Sequence, residues 1–382
     1  MNVVILGCGY HGRGIAYEIA GAGDVTQVRV ADKNASRAKV VAEKTGVDWL
    51  ELDVRDGPGL RAMFRGMDLV FNAVGPYHRY ALGVIEAAID AGVNYVDMCD
   101  DHEVAEALFF DPQWNSKAKS AGVTLLVGLG MAPGVSGILA RLGCEQFDAA
   151  EVVSTQFVWN YAIQYPAAIQ HFLRINSGQA PQYIKGEYRR PGPFAGHEMV
   201  DFLGPVGKRP VFYTGIIDPI TIPSTLPGLH EVTTKGAFLQ PEANAFLRCM
   251  VRWGMTRYDI VQGMDHSPMA FLMAYLTSEQ GGESFNIEPL KLPMAVRVEV
   301  SGTKGGEKKK VTYEAHDYSR RGSTSTSALA SLDLLRQGSS LAGVKSPEGC
   351  IEPLSFLSRL VSLGDVEIFQ WWEGAAPRPL FF

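Results

Sequence analysis

The chain has 382 residues, 46% of them hydrophobic, with a formal charge of −6 and a pI of about 5.8. That length suits two domains better than one, and the apolar fraction is ordinary for a globular protein with a full core. No basic excess exists to recruit nucleic acid or an anionic membrane surface, so neither is expected as a partner.

In chain order, the first 130 residues alternate two periodicities. An apolar run at 3–6 suits a strand buried on both faces, and a helix over about 12–22 sets Ile15 and Ile19 on its inner side. Residues 25–31 read as the second strand, followed by a helix that Asn34 caps and Gly46 stops. Residues 49–54 and 69–74 are the third and fourth strands, and a helix over 80–91 ends at Gly92. Residues 95–98 and 123–127 complete six strands. Helices between strands imply right-handed crossovers and a parallel sheet. Residues 156–165 form an aromatic strand, and 176–244 are rich in Gly, Pro and Thr. Residues 294–300 alternate apolar and charged and pair with 311–315 across a 302–306 turn. From Ser327 the pattern is helical again, with a capped loop and helix over 347–363. The expected fold is α/β: an N-terminal Rossmann doubly wound parallel sheet with a second α+β domain. The change of rhythm after residue 140 sets off that second domain.

The segment Gly7-Cys8-Gly9-Tyr10-His11-Gly12 is a GxGxxG motif between the first strand and first helix. In that setting Gly7 permits a tight turn, Gly9 lets backbone approach a pyrophosphate, and Gly12 lets helix and strand pack closely. The helix N-terminus offers amides and a positive dipole end to phosphates, so the whole loop, Tyr10 and His11 included, is assigned to cofactor. Asp32 ends the second strand and suits ribose hydroxyls, which favours NAD. Lys33 and Arg37 supply cations that would accept NADP instead. Asp53 and Val54 flank the adenine, and Ala73, Val74, Gly75 and Pro76 lie beside the ribose and nicotinamide.

Three segments converge on the carboxyl edge: Tyr77 and His78 after strand four, residues 97–102 after strand five, and 130–134 after strand six. Oxidation beside nitrogen needs a proton acceptor, and His serves near neutral pH. His78 and His102 are the candidate bases, with Asp97 or Asp100 as orienter or amine partner and Tyr77 as a further candidate. Cys99 reads as a small buried thiol. A substrate carboxylate is expected to meet a cation from the second domain, with Arg189, Arg190, Lys208, Arg209, Lys235 and Arg252 as candidates. No HExxH occurs and the eight His are scattered, so no metal is expected.

Five cysteines without a CxxC pair argue for reduced thiols and a cytoplasmic protein without a signal peptide. The uncharged 18-residue stretch 123–140 holds four glycines and a proline in 128–137, so it reads as a buried strand and Gly-Pro loop, not a membrane span. The basic run 308–310 reads as a solvated hairpin tip.

Together the residues 7–12, Ala31-Asp32, 72–77, 92–97, 130–134 and 343–348 resemble the saccharopine dehydrogenase-like oxidoreductases, within them the lysine 6-dehydrogenase type. The likeness covers residues 1–141, then thins until about 311–358. It implies that residues 1–130 plus about 327–382 form the first unit and 131–326 a substrate-binding and dimerisation unit, hence a homodimer, and NAD(P)-linked hydride transfer at a C–N bond of an amino acid or polyamine, in either direction. It also implies a place for Tyr77 near the nicotinamide. Saccharopine reductases carry an acid before the Pro-Gly pair, where this chain has Ala132, which leans away from saccharopine itself. The alternative is a dinucleotide-binding sensor or subunit of the same fold.

Overall fold

The computed structural model describes residues 1–160, 166–178, 180–284, 287–337 and 341–381. Its first part runs β1 (Asn2–Leu6), α1 (Tyr10–Ala20), β2 (Gln27–Asp32), α2 (Ala35–Thr45), β3 (Asp48–Glu51), α3 (Gly57–Phe64), β4 (Leu69–Asn72), α4 (Tyr77–Ala91), β5 (Asn94–Asp97), α5 (His102–Phe110), α6 (Pro112–Ala121) and β6 (Thr124–Leu126). All six strands are parallel, in the order β6-β5-β4-β1-β2-β3. β1 bonds to β2 on one side and β4 on the other, so connections diverge there and leave a crevice at the strands' carboxyl ends. Helices cover both faces, with Ile5, Ile15 and Ile19 packed on one and Leu6, Val70 and Ile85 on the other.

The chain continues with α7 (Val135–Cys144), β7 (Ala149–Trp159), α8 (Pro166–Ile175), β8 (Gln182–Ile184), β9 (Glu187–Arg189), β10 (Glu198–Phe202), β11 (Gly207–Tyr213), α9 (Asp218–Thr225), β12 (Glu231–Phe238), α10 (Pro241–Arg252), α11 (Pro268–Leu276), α12 (Glu279–Ser284), β13 (Met294–Lys304) and β14 (Glu307–Asp317). The last stretch is α13 (Gly322–Gln337), β15 (Gly343–Lys345), α14 (Pro347–Cys350), α15 (Pro353–Ser362), β16 (Val366–Trp372) and β17 (Arg378–Pro379). A second, mixed sheet orders β10-β11-β12-β7-β13-β14-β16-β17, with β8 and β9 branching from β12. The architecture is therefore a Rossmann-like sheet plus a second α+β unit.

The C-terminal stretch from 327 divides between the two sheets. β15 pairs with β6 and extends the first, whereas β16 pairs with β14 in the second. One apolar cluster runs through the junction, from Ile5 and Ile15 by way of Ile138 and Phe356 to Val298 and Tyr313. α13 returns to α1, where a Cβ on Gly14 would stand 2.8 Å from Thr324 Cγ2.

Several boundaries differ from the sequence reading. α3, α5 and α6 were not foreseen. In α3, Gly57-Pro58-Gly59 reads as a loop, yet Pro58 sits in the first turn, where its missing N–H costs nothing, and Asp56 caps the Gly59 N–H. α4 begins at Tyr77, three residues early. β3 stops at Glu51, which leaves Asp53 and Val54 in the following turn. The 123–140 stretch is β6, a loop and then α7. The aromatic strand is β7, ending at Trp159, and residues 161–165 of that expectation lie outside the described residues. The hairpin turn is narrower than 302–306: Lys304 pairs with Glu307 around Gly305 (φ +59°) and Gly306 (φ +78°), the positive angles a two-residue turn demands. Lys308, Lys309 and Lys310 are accordingly ladder residues of β14, not the tip.

Candidate active site

The GxGxxG loop owes its shape to contacts that a side chain would block. Gly7 takes φ +89°, and a Cβ there would lie 2.9 Å from the Ala73 carbonyl oxygen. A Cβ on Gly12 would lie 1.8 Å from the Gly7 oxygen, so helix and turn touch backbone to backbone. Gly9 differs: its Cβ direction meets nothing within 4 Å, and it opens α1 without a side-chain cap. Open space before an uncapped helix N-terminus is what a pyrophosphate requires. The side chains of Tyr10 and His11 turn to the returning chain, Tyr10 Oη toward the Arg320 carbonyl (3.3 Å) and His11 Nδ1 toward Thr324 Oγ1 (3.4 Å). Burial pulls the His11 pKa down to about 4, so the ring is neutral. These two residues offer the loop their backbone.

Asp32 closes β2 with its carboxylate held by two amides, Cys8 N–H (2.8 Å) and Asn34 N–H (2.8 Å). Lys33 and Arg37 are exposed beside it. Asp53 is taken up by Arg55, whose guanidinium reaches it at 2.6 Å and, with the Arg55 backbone amide, holds the carboxyl well below the usual range. Val54 is half-buried against Leu52 and Val74 in the same apolar cluster.

At the opposite end of the crevice, Ala73, Val74, Gly75 and Pro76 are half-buried between β4 and α4, and the Gly75–Pro76 peptide is cis. Beneath them lies a closed polar chain. Asn72 Nδ2 donates to Tyr95 Oη (3.0 Å), which donates to Asp97 Oδ2 (2.7 Å). Asp97 Oδ1 accepts the amides of Cys99 (3.0 Å) and Gly128 (3.0 Å). Asp97 has no solvent exposure, and burial raises its carboxyl to about 7 against the pull of those donors. Expected as an orienter or amine partner, it instead pins the turns after β5 and β6 and faces no open space. Tyr77 is half-buried and donates to the Asn72 carbonyl (3.3 Å); burial, then the nearby Asp97, raises its phenol well above 10.

The titratable centre gathers residues from three elements. Asp101, which precedes α5, is 1% exposed. Its Oδ2 accepts from the backbone N–H of His78 (2.8 Å) and lies 2.9 Å from His78 Nδ1. Its Oδ1 lies 3.0 Å from Nδ1 of His171, on α8 of the second unit. His171 Nε2 stands 2.7 Å from Asp100 in an ion-pair contact, off the line of a hydrogen bond. Burial alone would lower the His171 pKa, but Asp100 and Asp101 outweigh it and hold the ring up to about 10, an imidazolium at neutral pH. Burial would raise Asp101, and the two imidazoles reverse that and keep it ionised. Among the described residues His78 Nε2 has no partner. The arrangement is a carboxylate-oriented imidazole with one nitrogen available.

His102 does not join this group. It is 4% exposed, 3.4 Å from Glu103, with its pKa lowered by burial. Glu103 pairs with Arg174 of α8, and Arg190 pairs with Glu106, so α5 is tied to the second unit along its length. His78, expected as a base, has Asp101 as its partner, where Asp97 or Asp100 was expected. His171 was missed altogether, because only topology brings it there. Asp100, Asp101 and His171 hold ligand-capable atoms within 4.8 Å of one another. Both nitrogens of His171 face carboxylates, so as an imidazolium it offers a cation no lone pair. Burial pushes the Cys99 thiol up, so it remains protonated, and no disulfide occurs among the five cysteines.

Residues 3–126 match the family model for the saccharopine dehydrogenase NADP binding domain. That match covers about the first third of the chain. Among its relatives, the carboxyaminopropylagmatine dehydrogenase of Synechocystis is 28% identical over 296 residues, covering 72% of each chain. The saccharopine dehydrogenase-like oxidoreductase of Rattus norvegicus is 27% identical over 164 residues, 43% of this chain and 34% of that one. Of the rat protein, this chain therefore spans about a third. The fold is that of Saccharomyces cerevisiae saccharopine dehydrogenase (L-Glu forming), with a TM-score of 0.67 at 13% identity, over 97% of this chain and 99% of that one. The cofactor is a nicotinamide dinucleotide, and the residues of the first loop fit that group. Among the described residues no helix is long and apolar enough to cross a membrane.

Proposed function

We propose that the chain oxidises the C–N bond of an amino acid or polyamine-type amine, or reduces the corresponding imine, with His78 as its proton acceptor or donor. The observation that carries this reading is His78 itself: Nδ1 engaged by a buried carboxylate, Nε2 unengaged, one residue beyond the Tyr77 that follows the crevice strand. The names of two relatives, a carboxyaminopropylagmatine dehydrogenase and a saccharopine dehydrogenase-like oxidoreductase, support the C–N class.

The nicotinamide, when bound, supplies the hydride acceptor or donor. Gly7, Gly9 and Gly12 with the α1 amides hold the pyrophosphate, and Gly75 and Pro76 flank the nicotinamide end. Asp32 binds the ribose hydroxyls. We favour NAD because a 2′-phosphate would meet its charge, with Lys33 and Arg37 as the residues that would accommodate NADP. Asp53 and Val54 border the adenine. In the oxidative direction the substrate carbon loses hydride with its bonding pair and the nitrogen loses its proton to His78 Nε2. A C=N bond remains, which water converts to a carbonyl compound and free amine. Asp101 keeps the imidazole oriented and compensates the charge it acquires. Tyr77 closes the floor of the site, and Asp100 reaches it through His171.

We assign residues 131–326, with β16, to substrate binding and dimerisation. Trp253 (73% exposed), Ile260, Met264 and Phe271 are exposed apolar side chains of this unit, which suits a homodimer. The free cysteines suit a cytoplasmic setting. The deciding experiment incubates purified protein with amino acids and amines and either dinucleotide, following the absorbance of reduced cofactor. Turnover in the parent that disappears in His78→Ala, with cofactor affinity unchanged, is expected. Saturable cofactor binding without turnover in either direction would instead make this chain a sensor.

A further inference from the structure

Next along the chain from the two histidines, which do not themselves line it, the structure contains a cavity of about 330 Å³, at the small end of ligand sites. Its lining includes the chain neighbours of both, Arg79 after His78 and Gln170 before His171. The far wall is α11, which contributes Met269 and Met273, and Gln170 reaches Tyr258 Oη at 3.3 Å across one side. The charge pattern is one-sided: among the described residues Arg79 is the only charged one in the lining, and no carboxylate of those residues faces in. Arg79 itself is exposed and makes no side-chain hydrogen bond or ion pair among the described residues.

Half of the six cations expected to clamp a substrate carboxylate from the second unit are engaged elsewhere. Arg190 pairs with Glu106, Lys235 with Glu198, and Arg189 with Glu187. None of the six expected there lines this cavity. A guanidinium without an acid beside an apolar wall recognises a small anion on an aliphatic stem, and forms two parallel hydrogen bonds to a carboxylate. A remote ammonium finds nothing there to pair with and would meet the charge of Arg79.

We propose that this cavity holds the tail of the substrate and that Arg79 binds a carboxylate at the end remote from the reacting C–N bond. The substrate class is then a short aliphatic amine bearing a terminal carboxylate, and diamines of the same length are discriminated against. This rests on the redox reading above, and binding and turnover separate the two. Calorimetry on the NAD-loaded protein would compare δ-aminovalerate, its carboxamide and cadaverine, in the parent, Arg79→Ala and Arg79→Lys. The parent is expected to favour the carboxylate, and Arg79→Ala to weaken it on the order of tenfold to a hundredfold while leaving the carboxamide unchanged. Arg79→Lys should recover part of the loss, since it restores charge without the fork. A cavity-filling Ala274→Leu should weaken all three ligands without altering cofactor affinity. Equal affinity of the parent for carboxylate and carboxamide, or equal losses for both in Arg79→Ala, would overturn the anchor even if amines are turned over. Preference for the carboxylate without turnover of any amine would uphold the anchor and sink the redox reading.

Discussion

Replacing Asp101 with Asn leaves volume unchanged and removes one charge. Two oxygens of Asp101 now serve three donors: the His78 backbone N–H (2.8 Å), His78 Nδ1 (2.9 Å) and His171 Nδ1 (3.0 Å). An amide has one acceptor oxygen. Turned toward His78, it aims its NH2 at an imidazolium with nothing to accept it. Turned toward His171, it aims the NH2 at the His78 amide. Either way donor faces donor, and each charge-assisted bond lost is worth about 1.5–3 kcal/mol. The rate loss follows from what the imidazole supplies. A positioned base contributes roughly 10²–10⁴, which at 1.36 kcal/mol per tenfold is about 3–5 kcal/mol of barrier. The assay is reduced-cofactor absorbance at saturating amine across pH, paired with calorimetric cofactor affinity. The expected outcome is kcat down by roughly 10²–10⁴ with a displaced pH profile, while cofactor affinity stays within about threefold. An unchanged kcat and pH profile in a folded variant would refute the role of His78 and Asp101 together.

The two loop glycines should separate fold from binding. Gly12→Ala forces a backbone clash at 1.8 Å and should cost about 1–3 kcal/mol or more of stability along with cofactor affinity. Gly9→Ala meets nothing within 4 Å, so its melting temperature should hold while affinity falls; the opposite pattern in calorimetry and melting would mean that the loop is misread. Burial raises Asp97 to about 7, so the folded state holds that proton more tightly than the unfolded chain, whose carboxyl titrates near 3.9. Stability contributed this way is present at low pH and lost as pH rises from about 4 through about 7. Urea midpoints of Asp97→Asn should lack that decline, and parallel curves for parent and variant over the window would exclude it.

The dinucleotide loop was legible because its physics is local: six residues specify the turn, the close approach and the helix start. Asp32 was legible for the same reason, as the last residue of an apolar strand. α3 was not, because its glycines and proline oppose helix propensity, and only the Asp56 cap and packing of Leu60, Met63 and Phe64 overcome that. Around strand five the sequence places Asp97, Asp100 and Asp101 within five residues, and no local rule says which of them turns inward. The assignment is made by contacts far along the chain: Gly128 for Asp97 and His171 for Asp101. His171 carries no spacing signal of its own. The cations near 189–252 looked suitable for a substrate by type alone, and the acids that take up Arg189, Arg190 and Lys235 became visible only once folded.

Burial divides these aspartates more sharply than sequence does. Asp97 and Asp101 are equally hidden, at 0% and 1% exposure, yet they end with opposite protonation tendencies. Asp97 receives only neutral donors, an alcohol and two amides, and these do not offset desolvation, so its carboxyl rises. Asp101 receives two imidazoles, and they more than offset the same cost. The first is therefore a spacer whose charge is dispensable, and the second a fixed anion next to the only imidazole with an unengaged nitrogen in this group. One of the two imidazoles that keep Asp101 ionised, His171, belongs to the second unit. The electrostatics around His78 thus exist only while α8 is packed on the start of α5, together with Arg174 on Glu103. Chemistry assigned to the first unit depends on a charge delivered from the second, so excising residues 1–130 would preserve the dinucleotide loop and leave Asp101 without His171.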